Sequence, residues 1–227
     1  MNQAFSYTGR DNLDAMSYAL NYNNYIYSWL SKNLKKDDSI LDFGSGHGEF
    51  FKRFQVENAN IIGIEPDLSM HQYYKNKNIY QSIDKVEKRF NLIYSVNVLE
   101  HIQDDEAIVK ILKNYLVDQE SIVKIFVPAR QELFSSMDRK VGHFRRYSKS
   151  QLEKLFADNG YKIKTCRYFD SLGYFAAFIY KHVNKSGDIN KKGIEIYDKY
   201  VFPLNFVTDK IFCQFIGKNI MLEASRK

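Results

Sequence analysis

The chain is 227 residues long, 44% hydrophobic and 26% charged, with a formal net charge of +6, enough for one well-buried domain that a single sheet and its helices nearly fill. No apolar run approaches the ~18 residues that span a bilayer, and the start Met1-Asn-Gln-Ala-Phe-Ser-Tyr7 lacks the basic and apolar parts of a secretory signal, so a transmembrane span is excluded and a cytoplasmic location is expected. Cys166 and Cys213 stand alone without a C-x-x-C or a histidine cluster, which argues against a disulfide framework or a metal site, and scattered lysines give a pI near 9.0 without the basic block of a nucleic-acid arm.

Residues 11–34 place Leu13, Met16, Leu20, Tyr25, Trp29 and Leu30 at roughly helical spacing, which predicts one or two helices ahead of the core. A strand over 39–43 runs into Gly44, Gly46 and Gly48, followed by a helix over 48–56 and a second strand over 61–65 that ends in Glu65, Pro66 and Asp67. A helix over 68–76, a short strand at Ile79 and Tyr80, and a fourth strand over 91–96 come next. The helix expected over 104–116 opens with Asp104, Asp105 and Glu106, which suit its positive end, and carries Ile108, Ile111, Leu112 and Leu116 on one face.

A fifth strand over 121–127 stops at Pro128, which has no amide hydrogen for a ladder, and a loop then runs to Ser148. Ser148 and Gln151 form a capping-box signature for a helix that ends at Gly160, and a sixth strand covers 161–168. Residues 170–216 read as helical and aromatic, broken at Lys185-Ser-Gly-Asp188 and at Pro203, before a seventh strand over 219–224. The aromatic positions of that stretch suit burial, a cover over a bound acceptor, a dimer contact, or a membrane face near Lys181, His182 and Lys185.

The glycine turn is the sharpest signal. Gly44, Gly46 and Gly48 allow a tight turn and close approach of a ligand to free helix amides. Twenty-one residues after Gly44, Glu65 at the end of the next strand is placed to take two ribose hydroxyls. Together they form the adenosine-binding arrangement of a doubly wound sheet. The spacing is G-x-G-x-G, not the G-x-G-x-x-G of a dinucleotide fold, which disfavours a nicotinamide-dependent oxidoreductase. A shorter turn suits S-adenosylmethionine, which has no pyrophosphate: Asp42 at the entrance can face its ammonium, and amides near Ser45, Gly46 and Gly48 its carboxylate and ribose.

From Leu41-Asp-Phe-Gly-Ser-Gly-His-Gly-Glu-Phe50 through Asn91-Leu-Ile-Tyr-Ser-Val-Asn-Val-Leu-Glu-His-Ile102, Val127-Pro-Ala129 and Asp138-Arg-Lys-Val-Gly-His-Phe-Arg-Arg-Tyr-Ser148, the chain resembles the class I S-adenosylmethionine-dependent methyltransferases, in their type 11/12-like branch. The resemblance implies a Rossmann-like α/β fold: a seven-stranded, mostly parallel sheet with an antiparallel last strand. The chain then divides into a helical lid over 1–38, a cofactor-binding core over 39–168, a helical insert over 169–217 that departs from the family's usual short connection, and a last strand over 218–227. S-adenosylmethionine is then the cofactor, with Asn97 a further contact and Ser82, Ile83 or Asp84 beside the adenine. Tyr7 and Arg10 are candidates to close over the methionine carboxylate, against the alternative of an ordinary packed tail.

Methyl transfer from a sulfonium needs alignment, water exclusion and, for a hydroxyl or protonated amine, a base. His101, past the fourth strand, and His143, in the loop over the same sheet edge, are the candidate bases, each with a structural alternative as a capping, packing or loop residue. Glu100 reads as a cap and Asp67 as a turn residue. Arg145, Arg146 and Tyr147 are candidate acceptor contacts, the arginines suited to a phosphate or carboxylate; alternatively the arginines pair with Asp138 and nearby acids and hold the loop shut. The expected acceptor is a small, anionic or glycosylated molecule, a glycan or a lipid-linked compound, with peripheral membrane contact open. The competing reading is a catalytically silent adenosine-binding regulatory module.

Overall fold

The computed structural model describes residues 7–57, 60–74, 78–184, 186–188 and 190–227. Strands β1 (Ile40–Phe43), β2 (Ile61–Ile64), β3 (Ile79–Tyr80), β4 (Leu92–Val96), β5 (Ile122–Pro128), β6 (Tyr161–Phe169) and β7 (Asn219–Arg226) form one sheet in the order β3-β2-β1-β4-β5-β7-β6. The pairs among the first five strands are parallel, and β7 runs antiparallel to both β5 and β6. The fold is therefore Rossmann-like, as the resemblance implies.

Side-chain alternation along the strands divides the core between the two faces. Leu41, Ile93, Val123, Ile125 and Val127 face one side, packing on Val109 and Leu112 of α4 (Asp105–Asn114) and on Leu152 and Phe156 of α6 (Lys149–Asp158). Ile40, Leu92, Tyr94 and Phe126 face the other, against α2 (Leu20–Ser31) and α3 (Glu49–Glu57). Lys124 of β5 lies on this second side. Its Nζ donates to the carbonyls of Trp29, Leu30 and Lys32 at 2.8, 3.1 and 3.1 Å, capping the negative end of α2 and fastening the N-terminal helices to the sheet. Burial lowers this ammonium to about 8.

Three local expectations are corrected. In place of the helix expected over 68–76, a 3₁₀ turn spans Leu68–Tyr73 and Tyr74 is extended, with 75 and 76 outside the described residues. The Asp67 side chain caps the turn through Ser69 N at 3.0 Å, and the Tyr74 hydroxyl reaches back to Gly46 O at 2.7 Å, which draws the chain out of a helical path. Pro128 belongs to β5, opposite Asn219, because only its carbonyl is used: it accepts from Tyr147 N at 3.0 Å. The loop to Ser148 holds a short helix, α5 (Ser136–Val141), with a Ser135–Asp138 capping box at its start and Gly142 left-handed at its end.

The N-terminal helices are α1 (Arg10–Met16) and α2. Ser148 and Gln151 cap α6 as expected. The insert before β7 contains α7 (Ser171–Val183), α8 (Lys191–Ile196), which continues into a wider turn over Tyr197–Val201, and α9 (Asn205–Phe212); Lys185 lies outside the described residues. Cys166 is buried and Cys213 half-buried.

Candidate functional site

In this strand order the chain leaves β1 toward β2 and β3 and then crosses to β4, so the loops after β1 and β4 flank the crevice where the winding reverses. Open α/β sheets bind ligands there, at the carboxyl ends of the strands. Gly44, Gly46 and Gly48 all have positive φ, 88°, 52° and 78°. A Cβ at Gly44 would overlap Val98, and one at Gly48 would sit 2.7 Å from the Tyr74 ring. The turn therefore requires glycine on both conformational and steric grounds. Across the crevice Asn97 is also left-handed, φ 55°, a strained setting for a non-glycine residue directly after β4.

Glu65 faces the glycine turn. One carboxylate oxygen accepts from Gly46 N at 2.8 Å and the other from Asp67 N at 2.9 Å. Each oxygen keeps a free lone-pair direction, so the acid is oriented while still able to accept two hydroxyls. Burial raises its pKa, partly offset by the two amides. Asp42 is buried beside the hydroxyls of Tyr94 and Ser45, and burial pushes its carboxyl up to about 7. Pro66 and Ser82 are exposed at the same edge, whereas Ile83 is buried and packs into the core.

The N-terminal segment covers this edge. Asp67, buried, accepts from Tyr7 N at 2.9 Å and pairs with Arg10 Nη2 at 2.7 Å, so it does more than shape a turn. Arg10 is accordingly turned toward an acid of the protein. Leu13 of α1 lies against Gly46, and His47 pairs with Asp14 at 3.0 Å. The Tyr7 ring packs edge-on against His101, with centroids 5.3 Å apart, and His101 packs against His143 at 4.5 Å.

Beneath Tyr7 lies a buried polar network. His143 Nδ1 is 2.7 Å from Asp138 Oδ1, which fixes the imidazole, while Nε2 faces Glu100 Oε1 at 3.8 Å. Asp138 also receives Arg146 through Nε and Nη2 at 2.8 and 3.0 Å, and Ser135 N at 2.8 Å. Burial acts to raise the Asp138 carboxyl, but His143 and Arg146 outweigh it and hold it at about 2. Glu100 is fully buried, and no other described residue donates a hydrogen bond to either of its oxygens. Burial pushes it up to about 7, against the opposing pull of His143. His101 is lowered to about 4 by burial and by the neighbouring His143.

Of the acceptor-contact candidates, Arg146 is occupied by Asp138, the Tyr147 hydroxyl donates to Asp105 at 2.7 Å, and Arg145 pairs with Asp105 at 2.7 Å while remaining about one-third exposed (31%). The two pairs with Asp105 fasten the loop to α4, and the Arg146–Asp138 pair closes it on α5, the alternative that the sequence left open. Glu100, His101 and His143 bring ligand-type atoms within 4.8 Å of one another, the one grouping among the described residues with the makings of a metal site. Two contributions went unread in the sequence: Tyr74 closing on Gly46, which carries no local signal, and the Ser135–Asp138 box, whose S-x-x-D spacing ahead of Gly142 was legible.

Residues 18–165 match the model of a methyltransferase-domain family. No curated protein matches the chain in sequence. Among solved structures, a chain of the complex between the Haloferax volcanii Trm112 methyltransferase activator and a methyltransferase superposes with a TM-score of 0.63 at 12% identity, over 96% of this chain and 94% of that one. Haemonchus contortus phosphoethanolamine N-methyltransferase 2, in complex with S-adenosyl-L-methionine, gives 0.61 at 14% identity, over 99% and 58%. The [4+2]-cyclase SpnF gives 0.59 at 13%, over 95% and 94%, so likeness at this level speaks for the fold alone. The family match covers more than half of the chain, including the glycine turn, Glu65 and the loop after β4, and on that ground the chain belongs to the class I S-adenosylmethionine-dependent methyltransferases.

Proposed function

We propose that the protein transfers the methyl group to an oxygen or nitrogen of a small, anionic or glycosylated acceptor, and that His143 takes the acceptor's proton. The observation that carries this reading is the pairing of His143: Nδ1 on Asp138 at 2.7 Å, with Nε2 left toward Glu100 beside the covering Tyr7 and His101. A carboxylate on Nδ1 fixes the tautomer that presents a basic Nε2. Asp42, the turn from Gly44 to Gly48, Glu65 and Asn97 would hold S-adenosylmethionine, with Pro66, Ser82 and Ile83 on the adenine side, since the turn rejects side chains and Glu65 is already oriented. That cofactor supplies a methyl group activated as a sulfonium. The rest falls to the protein: Tyr7 and Leu13 exclude water, Arg146 and Tyr147 hold the loop in register, and Arg145 keeps a partly exposed cation at its rim for an anionic acceptor.

The test is S-adenosylhomocysteine formation over a panel of hydroxyl and amine acceptors, including sugar phosphates and glycolipids. His143→Ala should lower kcat by about 10²–10⁴ while Kd for S-adenosylmethionine is unchanged. Equal loss in both would make His143 a structural residue of the loop. Tight cofactor binding with no turnover on any acceptor would favour the silent-module reading instead.

A further inference from the structure

The insert between β6 and β7 turns its apolar side outward. On α7, Phe175, Phe178, Ile179 and Val183 are exposed, at the spacing of one helical stripe. On α9 the usual distribution is inverted. Asn205 and Asp209 are buried, accepting hydrogen bonds from the amides of Leu172 at 3.0 Å, Asp170 at 2.8 Å and Ser171 at 2.9 Å, while Phe206, Val207, Ile211 and Phe212 face solvent. Because its polar face is committed to the start of α7, α9 has no rotation available that would bury the apolar one. The two helices pack on each other, so their exposed residues lie on neighbouring parts of the insert. Exposed large apolar residues gathered in this way mark an interaction site.

Charge identifies the partner. Among the described residues of 170–216, Asp170, Asp198 and Asp209 are buried, and Asp198 spends its carboxylate on the amides of Asn21 and Tyr22 at 2.9 and 2.8 Å. Asp188 is paired with Lys140, which leaves Glu195 as the outward acid without an ion pair. Against it stand the exposed Lys192, Lys199 and Lys210, with Lys191 laid over the Tyr18 ring. A cavity of about 390 Å³, lined by Tyr25, Phe202 and Phe206 with Arg167 and Lys210, opens at the edge of α9. An insert that joins an exposed apolar face to an excess of exposed lysines matches an anionic lipid surface, whereas a second copy would bring like charges together across a two-fold axis.

We infer that the α7–α9 face docks peripherally on anionic lipid, with Phe178, Ile179 and Ile211 entering the interface and the lysines meeting headgroups. No described helix is long and apolar enough to cross a membrane, so the contact is interfacial. The insert is tied to the segment that carries Asp138, through Lys181 Nζ to Glu132 O at 2.6 Å and Ser136 Oγ to Asn184 O at 3.1 Å. Docking would therefore set the catalytic edge near the membrane, although the inference does not depend on which acceptor is methylated.

Co-sedimentation of the full chain with vesicles of phosphatidylcholine alone, or of phosphatidylcholine with phosphatidylglycerol, tests it, beside molar mass measured in solution. Binding to the mixed vesicles is expected, weakening as salt shortens the Debye length from about 30 Å to about 3 Å. The triple variant Phe178→Ser, Ile179→Ser, Ile211→Ser should bind at least roughly tenfold more weakly while its circular dichroism and its affinity for S-adenosylmethionine stay unchanged. Absence of vesicle binding, binding that the triple variant retains, or a dimer that the triple variant dissolves would each overturn the proposal, the last in favour of a second copy.

Discussion

Glu100→Gln tests the buried network directly. Glu100 is fully buried, no other described residue donates a hydrogen bond to its oxygens, and its pKa rises from the ordinary 4.5 to about 7. The folded protein therefore binds this proton more tightly than the unfolded chain does. The resulting stability is fully present below pH ~4.5 and is lost as pH rises through about 7. At about 1.36 kcal/mol per pH unit, the displacement amounts to about 3 kcal/mol. Glutamine has nearly the same shape and no proton to lose. The wild-type unfolding free energy, measured by urea denaturation across this range, should therefore fall relative to the variant by up to about 3 kcal/mol between pH ~4.5 and pH ~8. Parallel curves would show that Glu100 ionises normally in the folded state, and a difference of opposite sign would mean that His143 stabilises the carboxylate beyond its desolvation cost.

Glu65→Ala should weaken S-adenosylmethionine by about 1–3 kcal/mol in calorimetric titration, since it removes an oriented charged acceptor; unchanged affinity would remove the ribose assignment. Asp67→Asn takes the charge from the anchor of Tyr7 N and Arg10, so amide exchange over residues 7–16 should accelerate while the strands stay protected; unaltered exchange would show that α1 holds by packing alone. Exhaustive chelation should leave turnover intact if His143 works as a base. Loss restored by added zinc would instead assign Glu100, His101 and His143, whose ligand-type atoms lie within 4.8 Å of one another, as metal ligands.

What the sequence made legible was local. The glycine turn, the acid ending β2 and the Ser148–Gln151 box are each written within a few residues, because turn, strand end and cap are settled by the residues that form them. The Asp138–Arg146 pairing could be posed in advance, since its partners lie eight positions apart, but choosing it over an acceptor contact required knowing that both side chains are buried. Asp67 reaches Tyr7 and Arg10 across about sixty positions, and no pattern in the chain announces that contact. The insert shows what periodicity alone leaves undecided. Spacing left burial, an acceptor cover, a dimer contact and a membrane face all open for its aromatic positions, and on α9 it is Asn205 and Asp209 that occupy the inner face. The unsatisfied amides at the start of α7 need acceptors, and buried amides without partners cost more than exposed apolar area does. Hydrogen bonding therefore sets the orientation of α9 and leaves its apolar side outward.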